Sequence, residues 1–388
     1  MNQPDYQHFI SPRQTDISVF ASICQQQTRL ADYPFASETR KNVLIYDGPT
    51  LARQIKIQRQ AIMNEMHHAL SHGPGVLVIR HAYADLGVVD RQSAVFEEIF
   101  AAEAMTGVAA DHFAKAGANG RIWNSLQKVA ERNPAAFIEY YANPLMDLVN
   151  EAWLGPAYQM TAQVNVVRPG GQAQQPHRDY HLGFQVEDEV ARYPLALQHM
   201  SQYMTLQGAV AHTDMPLETG PTLLLPYSQQ YEAGYLAWRQ SAFIDYFTQH
   251  AIQLPLEKGD MLFFSPALFH AAGTNHTQDQ HRMANLLQSS CAFGKPMETI
   301  NRPLIMRKIY PVLKQQLSEQ KISMETAELA ILMSADGYAF PTNLDTDPPL
   351  GGLAPQTGQD LLRKALAEHW PVEQFDAEVA RIVSKRLA

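Results

Sequence analysis

The sequence contains few cysteines, few charged residues and no excess of positive charge. Its 388 residues include only two cysteines, Cys24 and Cys291, whereas a secreted protein held together by disulfides needs several pairs. Charged residues make up 18% of the chain, which argues against disorder, because disordered chains combine high charge with low hydrophobicity. With 30 Lys and Arg against 39 Asp and Glu, the formal net charge is -9. No nucleic-acid partner is therefore expected, since such proteins present a basic face.

Long apolar runs and an export signal are also missing from the sequence. The richest apolar stretches, GVLVI at 75–79 and MLFFSPALF at 261–269, are far shorter than the about 20 residues that a membrane-spanning helix requires. The first residues, MNQPDYQHFISPRQTD, contain no basic segment followed by an apolar run, which a secretory signal would need. We expect a cytoplasmic protein with free thiols and no membrane span.

The chain does contain enough apolar material for one large core. Hydrophobic residues make up 46% of it, and the fraction of surface buried on folding rises with chain length. Residues 155–295 consist of short strand-like runs interrupted by Gly, Pro and Asp, a pattern typical of an antiparallel sandwich or barrel. We therefore predict a mostly β core with surrounding α-helices. It forms a single elaborated domain over 1–388, with the core at 155–295 and helical flanks at 1–154 and 296–388 packed on it.

Hydrophobic periodicity, together with Gly and Pro as breakers, predicts the individual elements. Helices are expected at 50–73, 90–106, 134–153 with a break near Pro144, 232–249, 304–320, 324–335, and 358–385 with a break near Pro371. Strands are expected at 75–83, 158–171, 201–214, 221–228, 258–266 and 282–293. The first 50 residues are mixed and rich in Gln, and we expect an irregular arm with short elements there.

The segment QQPHRDYH carries the first candidate site, with His177 and Asp179 on either side of Arg178. Residues i and i+2 of an extended strand point to the same face, so this imidazole and this carboxylate can converge on one ion. The segment LEKGDMLFFSPALFHAAGTN then supplies His270, as suits a ligand from a later strand of the same barrel. Two histidines and one carboxylate form the facial triad of non-haem Fe(II) oxygenases, which leaves positions open for O2 and a chelating co-substrate.

Arg282 begins the strand RMANLLQSS, one strand after His270. A guanidinium inside a barrel needs an anionic partner, and its planar fork fits a carboxylate bidentately, here the distal carboxylate of 2-oxoglutarate. Each of these features alone has a commoner explanation as a surface or core residue, and only their order along the chain makes the case. A second histidine group, His67, His68 and His72, has no carboxylate at metal spacing, and we interpret it as the solvated end of a helix.

These motifs, in this order, resemble those of the phytanoyl-CoA dioxygenase-like family of Fe(II)/2-oxoglutarate-dependent oxygenases. The matching pieces are VNVVRPGGQAQQPHRDYH, AHTDMPLETGPTLLLPYSQQY and LEKGDMLFFSPALFHAAGTNHTQDQHR. The resemblance implies a double-stranded β-helix (jelly roll, cupin-like) with N- and C-terminal helical elaborations. It makes His177, Asp179 and His270 the catalytic Fe(II) ligands and Arg282 the residue that binds the distal carboxylate of 2-oxoglutarate. Because relatives that halogenate carry a small residue in place of this carboxylate, the presence of Asp179 implies hydroxylation or a related oxidation instead of halogenation.

The sequence departs from the family pattern at two places. The middle piece ends in Pro226-Tyr227-Ser228-Gln229, where the family has Pro-Gly-Ser-His, so that the Gly and the His are replaced. The position two residues after the distal histidine holds Ala272, where some members of the family have a hydroxyl side chain. Neither departure touches the three expected metal ligands.

The strand before the triad offers two further candidates. Thr161, Gln163 and Asn165 alternate along it and therefore share one face. If this face lines the mouth of the barrel, Gln163 and Asn165 bind the co-substrate or the substrate. Polar residues that point outward from an edge strand would produce the same alternation, and the sequence leaves both interpretations open.

Together these features predict a dioxygenase that uses Fe(II), 2-oxoglutarate and O2 to hydroxylate a small-molecule or lipid-like substrate, with release of succinate and CO2. Two alternatives remain open. An oxoglutarate-independent cupin-type metal enzyme has no need of Arg282, and a non-catalytic jelly-roll binding protein has no need of open coordination positions. The apolar positions of the C-terminal helices are compatible with a homodimer and equally with docking on the chain's own core.

Overall fold

The computed structural model describes residues 7–106, 119–349 and 351–387 of the chain. The strands are β1 (Glu38–Arg40), β2 (Val43–Asp47), β3 (Val76–Arg80), β4 (Asn119–Ile122), β5 (Gln159–Val167), β6 (Thr205–Ala211), β7 (Leu223–Leu224), β8 (Met261–Phe264), β9 (His270–Ala271) and β10 (Arg282–Ser290). Short 3-10 helices lie at Pro12–Gln14, Leu30–Asp32, His181–Phe184, Leu217–Thr219 and Ser228–Gln230.

The α-helices stand before, between and after these strands. They are α1 (Ile17–Cys24), α2 (Gly48–Ser71), α3 (Leu86–Thr106), α4 (Ser125–Arg132), α5 (Pro134–Tyr141), α6 (Pro144–Leu154), α7 (Glu187–Val190), α8 (Leu195–Tyr203), α9 (Gly234–Ala237), α10 (Ser241–His250), α11 (Arg302–Ser318), α12 (Met324–Ser334), α13 (Gly358–Ala367) and α14 (Val372–Lys385). Within the described ranges, none of these helices is long and apolar enough to cross a membrane.

The chain divides into two compact units. The first takes in described residues of Met1–Ala84, Ala110–Gly120 and Asn165–Leu287, and the second takes in described residues of Asp85–Ala109, Arg121–Val164 and Gln288–Ala388. The single domain with a core at 155–295 and flanks at 1–154 and 296–388 stays a prediction.

Eight of the described strands form one mixed sheet in the order β1-β2-β3-β8-β6-β10-β5-β4. Strands β2 and β3 are parallel, whereas β1 with β2, β3 with β8, and β6 with β8 are antiparallel. Strand β8 is a short apolar run, MLFF, in which every residue is buried, as is usual for a strand covered on both faces. A sheet surrounded by helices agrees with the predicted fold class. The sheet also includes β1 to β4, which come from the region predicted to be a helical flank.

A second, small sheet pairs β7 with β9 in antiparallel register, with Leu224 opposite His270. Two isolated antiparallel bridges extend it, one from Leu224 to Ile252 and one from His270 to His177. A hydrophobic core cluster of the first unit consists of Val43, Ile45, Val76, Val78, Ala211, Met215, Leu224, Leu254, Leu256, Leu262, Phe264 and Leu268. This core supports the small sheet on which two of the expected metal ligands lie.

The second unit is built around α11, which packs against α4, α5, α12, α13 and α14. Tyr310 of α11 stacks on Phe375 of α14, with 4.1 Å between the ring centroids. The buried Arg302 donates hydrogen bonds of 2.7 Å to the carbonyl oxygens of Met160 and Met333. These bonds satisfy a charged group that would otherwise be costly to bury.

Most predicted helices and strands are observed with shifted ends. The helix predicted at 134–153 is the pair α5 and α6, and the break falls at Asn143, whose side chain accepts hydrogen bonds from the backbone N–H of Leu145 and Met146. Pro144 takes the first helical position, where its missing N–H costs nothing. The strand predicted at 201–214 starts only at Thr205, because SQY belongs to the end of α8. An alternation of polar and apolar residues over so few positions does not separate a strand from a helix end.

Candidate metal centre

His177 and His270 lie on two chain segments that run side by side. The backbone N–H of His177 donates to the carbonyl of His270 at 3.0 Å, and the N–H of His270 donates back to the carbonyl of His177 at 3.2 Å. Two residues further on, the N–H of Asp179 donates to the carbonyl of Pro266 at 3.0 Å. The segment at 177–179 is thereby fixed against residues 266–270 of the other segment.

The three side chains are close enough to hold one metal ion. Their ligand atoms all lie within 4.8 Å of one another. His177 Nε2 is 3.7 Å from Asp179 Oδ1, and His270 Nε2 is 3.4 Å from Asp179 Oδ2. Among the residues that the structure describes, no other group of three His, Cys, Asp or Glu side chains meets this spacing. Their assignment as the catalytic Fe(II) ligands stays a prediction.

Both imidazoles are oriented by the backbone. Nδ1 of His177 lies 2.9 Å from the carbonyl oxygen of Gln175, and Nδ1 of His270 lies 2.8 Å from that of Leu268. Because a carbonyl only accepts, each Nδ1 must carry a proton, and Nε2 is the ring nitrogen that is left to bind a metal. Hydrogen bonds of this kind to the second ring nitrogen are usual for histidines that bind a metal.

The charges of the site suit a divalent cation. Burial by itself raises the pKa of the Asp179 carboxyl, but the neighbouring imidazoles of His177 and His270 and the amide of Gln207 outweigh it and hold this pKa well below its usual range. Burial lowers the pKa of the His177 imidazole more than the nearby Asp179 carboxylate raises it. The carboxylate of Asp179 is therefore ionised at neutral pH, and burial favours the neutral form of His177.

Gln207 is a residue of the site that the sequence did not predict. It lies in β6, where every residue is buried, and its Nε2 donates a hydrogen bond to Asp179 Oδ2. The side chain is only 8% exposed, and its Oε1 is buried without a hydrogen-bond partner. Gln207 thus fixes the carboxylate through one oxygen and keeps an acceptor free. A lone glutamine in an otherwise apolar strand was the signal that could have revealed it.

Replacing Gln207 with leucine is expected to weaken metal binding about 10- to 100-fold, the usual loss when a group that orients a metal ligand is removed. An anaerobic titration of the apoprotein with Fe(II) measures this change. Gln202→Leu is a matched control, since Gln202 is also buried but lies near His199 instead of the carboxylate. Equal metal affinities of the wild type and Gln207→Leu would show that this amide does not position Asp179.

Arg282 is buried at the start of β10, with 7% of the residue exposed. Its Nη1 donates a hydrogen bond to the carbonyl of Gly220, and within the described part of the chain no carboxylate forms an ion pair with it. Burial lowers the pKa of the guanidinium to about 10, which still leaves it charged at neutral pH. A buried cation without an acidic partner is costly, and a carboxylate ligand would offset this cost.

Gln163 and Asn165 differ in their hydrogen bonding. Gln163 is buried, and its Oε1 accepts a hydrogen bond of 2.8 Å from Nη1 of Arg121, which belongs to the same unit. Asn165 is half-buried, and its Oδ1 is shielded from solvent without a hydrogen-bond partner. Their contact with the co-substrate or the substrate stays a prediction.

Arg178 joins the segment of the ligands to the loop that departs from the family pattern. Its Nη2 donates to the carbonyls of Ser228 and Tyr231 at 2.8 and 2.9 Å, and its guanidinium packs over the rings of Tyr235 and Phe269. Ser228 Oγ in turn accepts a hydrogen bond from the backbone N–H of Phe269 at 2.8 Å. The Pro-Tyr-Ser-Gln loop therefore supports both segments of the triad without using the Gly and His that it lacks.

Three solved structures illustrate what the chain is similar to. The epimerase SnoN from nogalamycin biosynthesis, described as non-heme and alpha-ketoglutarate-dependent, shares 15% identity over 60% of this chain and 82% of its own, with a TM-score of 0.40. HygX from Streptomyces hygroscopicus, solved with nickel, 2-oxoglutarate and hygromycin B, shares 12% over 59% and 87%, with a TM-score of 0.41. The carbocyclase SnoK shares 16% over 58% and 82%, with a TM-score of 0.40. No curated protein sequence matches the chain.

A family model gives the stronger result. The model described as "Phytanoyl-CoA dioxygenase (PhyH)" matches residues 71–284, which is more than half of the chain. The matched range includes the triad and Arg282, together with the segments of the sequence that carry the resemblance. The resemblance is thereby confirmed, and the chain belongs to the phytanoyl-CoA dioxygenase (PhyH) family.

Proposed function

We propose that this protein hydroxylates a small molecule, with Fe(II), 2-oxoglutarate and O2 as co-reactants and succinate and CO2 as products. Its family is one of Fe(II)- and 2-oxoglutarate-dependent oxygenases. The observation that carries the proposal is the convergence of His177, Asp179 and His270 on one point. Because Asp179 keeps the carboxylate that halogenating relatives lack, hydroxylation is the outcome that this donor set favours.

The donor set fits Fe(II). Two imidazole nitrogens and one carboxylate oxygen form a facial triad that leaves coordination positions open, and His177, Asp179 and His270 are the residues that would hold the ion. The chemistry that Fe(II) supplies with 2-oxoglutarate is the activation of O2, coupled to decarboxylation of the keto acid. The protein's own part is to fix the ligands through Gln175, Leu268 and Gln207.

The unpaired charge of Arg282 fits 2-oxoglutarate. The guanidinium offers a planar fork for the distal carboxylate, and its burial makes a charge-assisted hydrogen bond stronger than it would be in water. An oxoglutarate-independent metal enzyme would have no use for this cation. Gln163 and Asn165 are proposed as further polar contacts of the co-substrate or the substrate.

We further propose that the two sheets are the two halves of a double-stranded β-helix. Support comes from the small sheet, in which β7 and β9 are extended by bridges at Ile252 and His177, so that four segments lie side by side. In this arrangement the triad lies on the small sheet and its orienting Gln207 on the large one.

Turnover with candidate substrates tests the proposed function. The protein is incubated aerobically with Fe(II), 2-oxoglutarate and a library of small metabolites, and succinate and products that have gained one oxygen atom are measured by mass spectrometry. Substrate-dependent succinate with a matching hydroxylated product supports the proposal, and the same incubation with Zn(II) instead of Fe(II) is the control. Tight metal binding without any effect of 2-oxoglutarate would favour the oxoglutarate-independent enzyme. Failure to bind any metal would favour a binding protein.

A further inference from the structure

Trp238 and Arg239 form a stacked pair next to the candidate metal centre. The indole of Trp238 meets the imidazole of His177 edge-on, with 6.4 Å between the ring centroids and 67° between the planes. On the same indole, the guanidinium carbon of Arg239 lies 3.7 Å from the ring centroid. Both residues follow α9 and belong to the same unit as the triad. A molecule held by this pair therefore lies close to the ligand His177.

The pair carries two hydrogen-bond donors that the protein does not use. Nε1 of Trp238 and Nη1 of Arg239 are shielded from solvent and have no hydrogen-bond partner among the described residues. The other terminal nitrogen of Arg239, Nη2, donates to the carbonyl of Gly183 at 3.3 Å, which fixes the guanidinium in place. Buried N–H groups without an acceptor are rare in folded proteins and call for an explanation, such as a ligand.

The charge of Arg239 is not balanced by a neighbour. No acidic side chain in the described ranges lies within ion-pair distance of it, and Glu187 is the carboxylate whose more distant charge acts on it. The surroundings of the pair thus offer a fixed cation and N–H donors. They favour an anion and disfavour a cation.

We propose that Trp238 and Arg239 bind an oxyanion of the substrate, so that the molecule oxidised at the metal centre carries a carboxylate or a phosphate group. This inference rests on the proposed function, because it concerns the substrate of the same site. The guanidinium fork matches the geometry of either anion, and the indole N–H adds a donor beside it. A neutral alcohol carries no charge and an amine carries a positive one, so neither can balance the charge of Arg239.

Binding of four matched probes tests the inference. Benzoate, phenyl phosphate, benzyl alcohol and benzylamine share a ring and differ in charge, and each is titrated calorimetrically into the protein loaded anaerobically with Fe(II) and saturating 2-oxoglutarate. We expect at least one of the two anions to bind and the neutral and cationic probes to bind much more weakly. Comparison of benzoate with phenyl phosphate distinguishes a carboxylate from a phosphate substrate.

Substitutions of Arg239 and Trp238 test whether these two residues bind the anion. Arg239→Met is expected to weaken anion binding roughly 10- to 100-fold, since a hydrogen bond to a charged group is lost together with the charge. Arg239→Lys and Trp238→Phe should lose less, because the first keeps the charge and the second keeps the ring. Arg192→Met is the matched control, since Arg192 is exposed and pairs with Glu189.

The visible absorption band of Fe(II) with bound 2-oxoglutarate distinguishes a failure of the proposed function from a failure of the proposed oxyanion site. A wild-type protein without this band would contradict the proposed function itself. A normal band with equal binding of anions and neutral probes, with no anion binding, or with anion binding unchanged in Arg239→Met would overturn only the oxyanion site. Loss of the band in Arg239→Met would also overturn it, because Arg239 would then support the metal centre and not the substrate.

Discussion

Asp179→Ala is expected to abolish the binding of Fe(II) and therefore the visible band that appears when 2-oxoglutarate is added to the metal-loaded protein without O2. Asp179 is the only one of the three proposed ligands that carries a negative charge to neutralise the cation, because a histidine binds a metal as neutral imidazole. Without it, only the two imidazoles of His177 and His270 remain. Loss of a group that merely orients a ligand costs 10- to 100-fold in metal affinity, so loss of the charged ligand should cost more than about 100-fold.

The measurement compares wild type, Asp179→Ala and Asp188→Ala in the same anaerobic titration. Asp188 is an exposed residue of α7, and its replacement removes one acidic group that is not a member of the triad. Wild type and Asp188→Ala should give the same band, and Asp179→Ala should give none at any attainable Fe(II) concentration. If Asp179→Ala kept the band at the Fe(II) concentrations that suffice for the wild type, Asp179 would not be a ligand that the site needs.

The triad was predictable from the sequence because its geometry is mostly local. Two of its members are separated by one residue in an extended segment, and alternation places them on one face wherever that segment lies. The third member needed only a later strand that pairs beside the first segment. The carbonyl groups that orient the two imidazoles belong to Gln175 and Leu268, each two residues before its histidine. Part of the hydrogen bonding around the two histidines is therefore determined by residues next to them in sequence.

Gln207 was not predictable in the same way because its role depends on long-range pairing. It contacts Asp179 only because β6 pairs with β8 in the register that sets Gln207 opposite Phe264, while Phe264 packs against His270 at 4.7 Å between ring centroids. Nothing within the strand itself reports this register. The same limitation applies to Trp238, whose position beside His177 depends on the fold of the loop before it.

The strands β1 and β2 were missed for a different reason. Their region looked irregular because it is rich in Gln and polar residues, and β1 is three residues long with no buried position. The strand β2 is an apolar run, VLIYD, that pairs in parallel with β3. Parallel pairing of two short runs that are joined by the helix α2 is a long-range feature. Local patterns therefore predicted the helix and β3 but not the strand in front of them.

Arg282→Met is expected to separate co-substrate binding from stability. The guanidinium is buried with a single backbone acceptor, the carbonyl of Gly220, and replacement of such a charge by an apolar side chain of similar length is often neutral or stabilising. The variant should therefore unfold at the same temperature as the wild type, or higher, when 2-oxoglutarate is absent. Its affinity for 2-oxoglutarate should fall about 100-fold, since a charge-assisted pair with the distal carboxylate is lost.

Thermal unfolding with and without 2-oxoglutarate, at fixed Fe(II) and without O2, measures both effects at once. Binding to the folded state raises the unfolding temperature of the wild type as the concentration of 2-oxoglutarate grows, and the variant should show this increase only at concentrations about 100-fold higher. Arg302→Met serves as the contrasting case, because Arg302 donates to two carbonyls in the second unit and its loss should destabilise the protein. If Arg282→Met were instead strongly destabilised while its affinity for 2-oxoglutarate stayed unchanged, Arg282 would be a structural residue. A residue that binds an anionic co-substrate should contribute to affinity for that co-substrate and not to the stability of the fold. Arg282 is expected to meet both conditions.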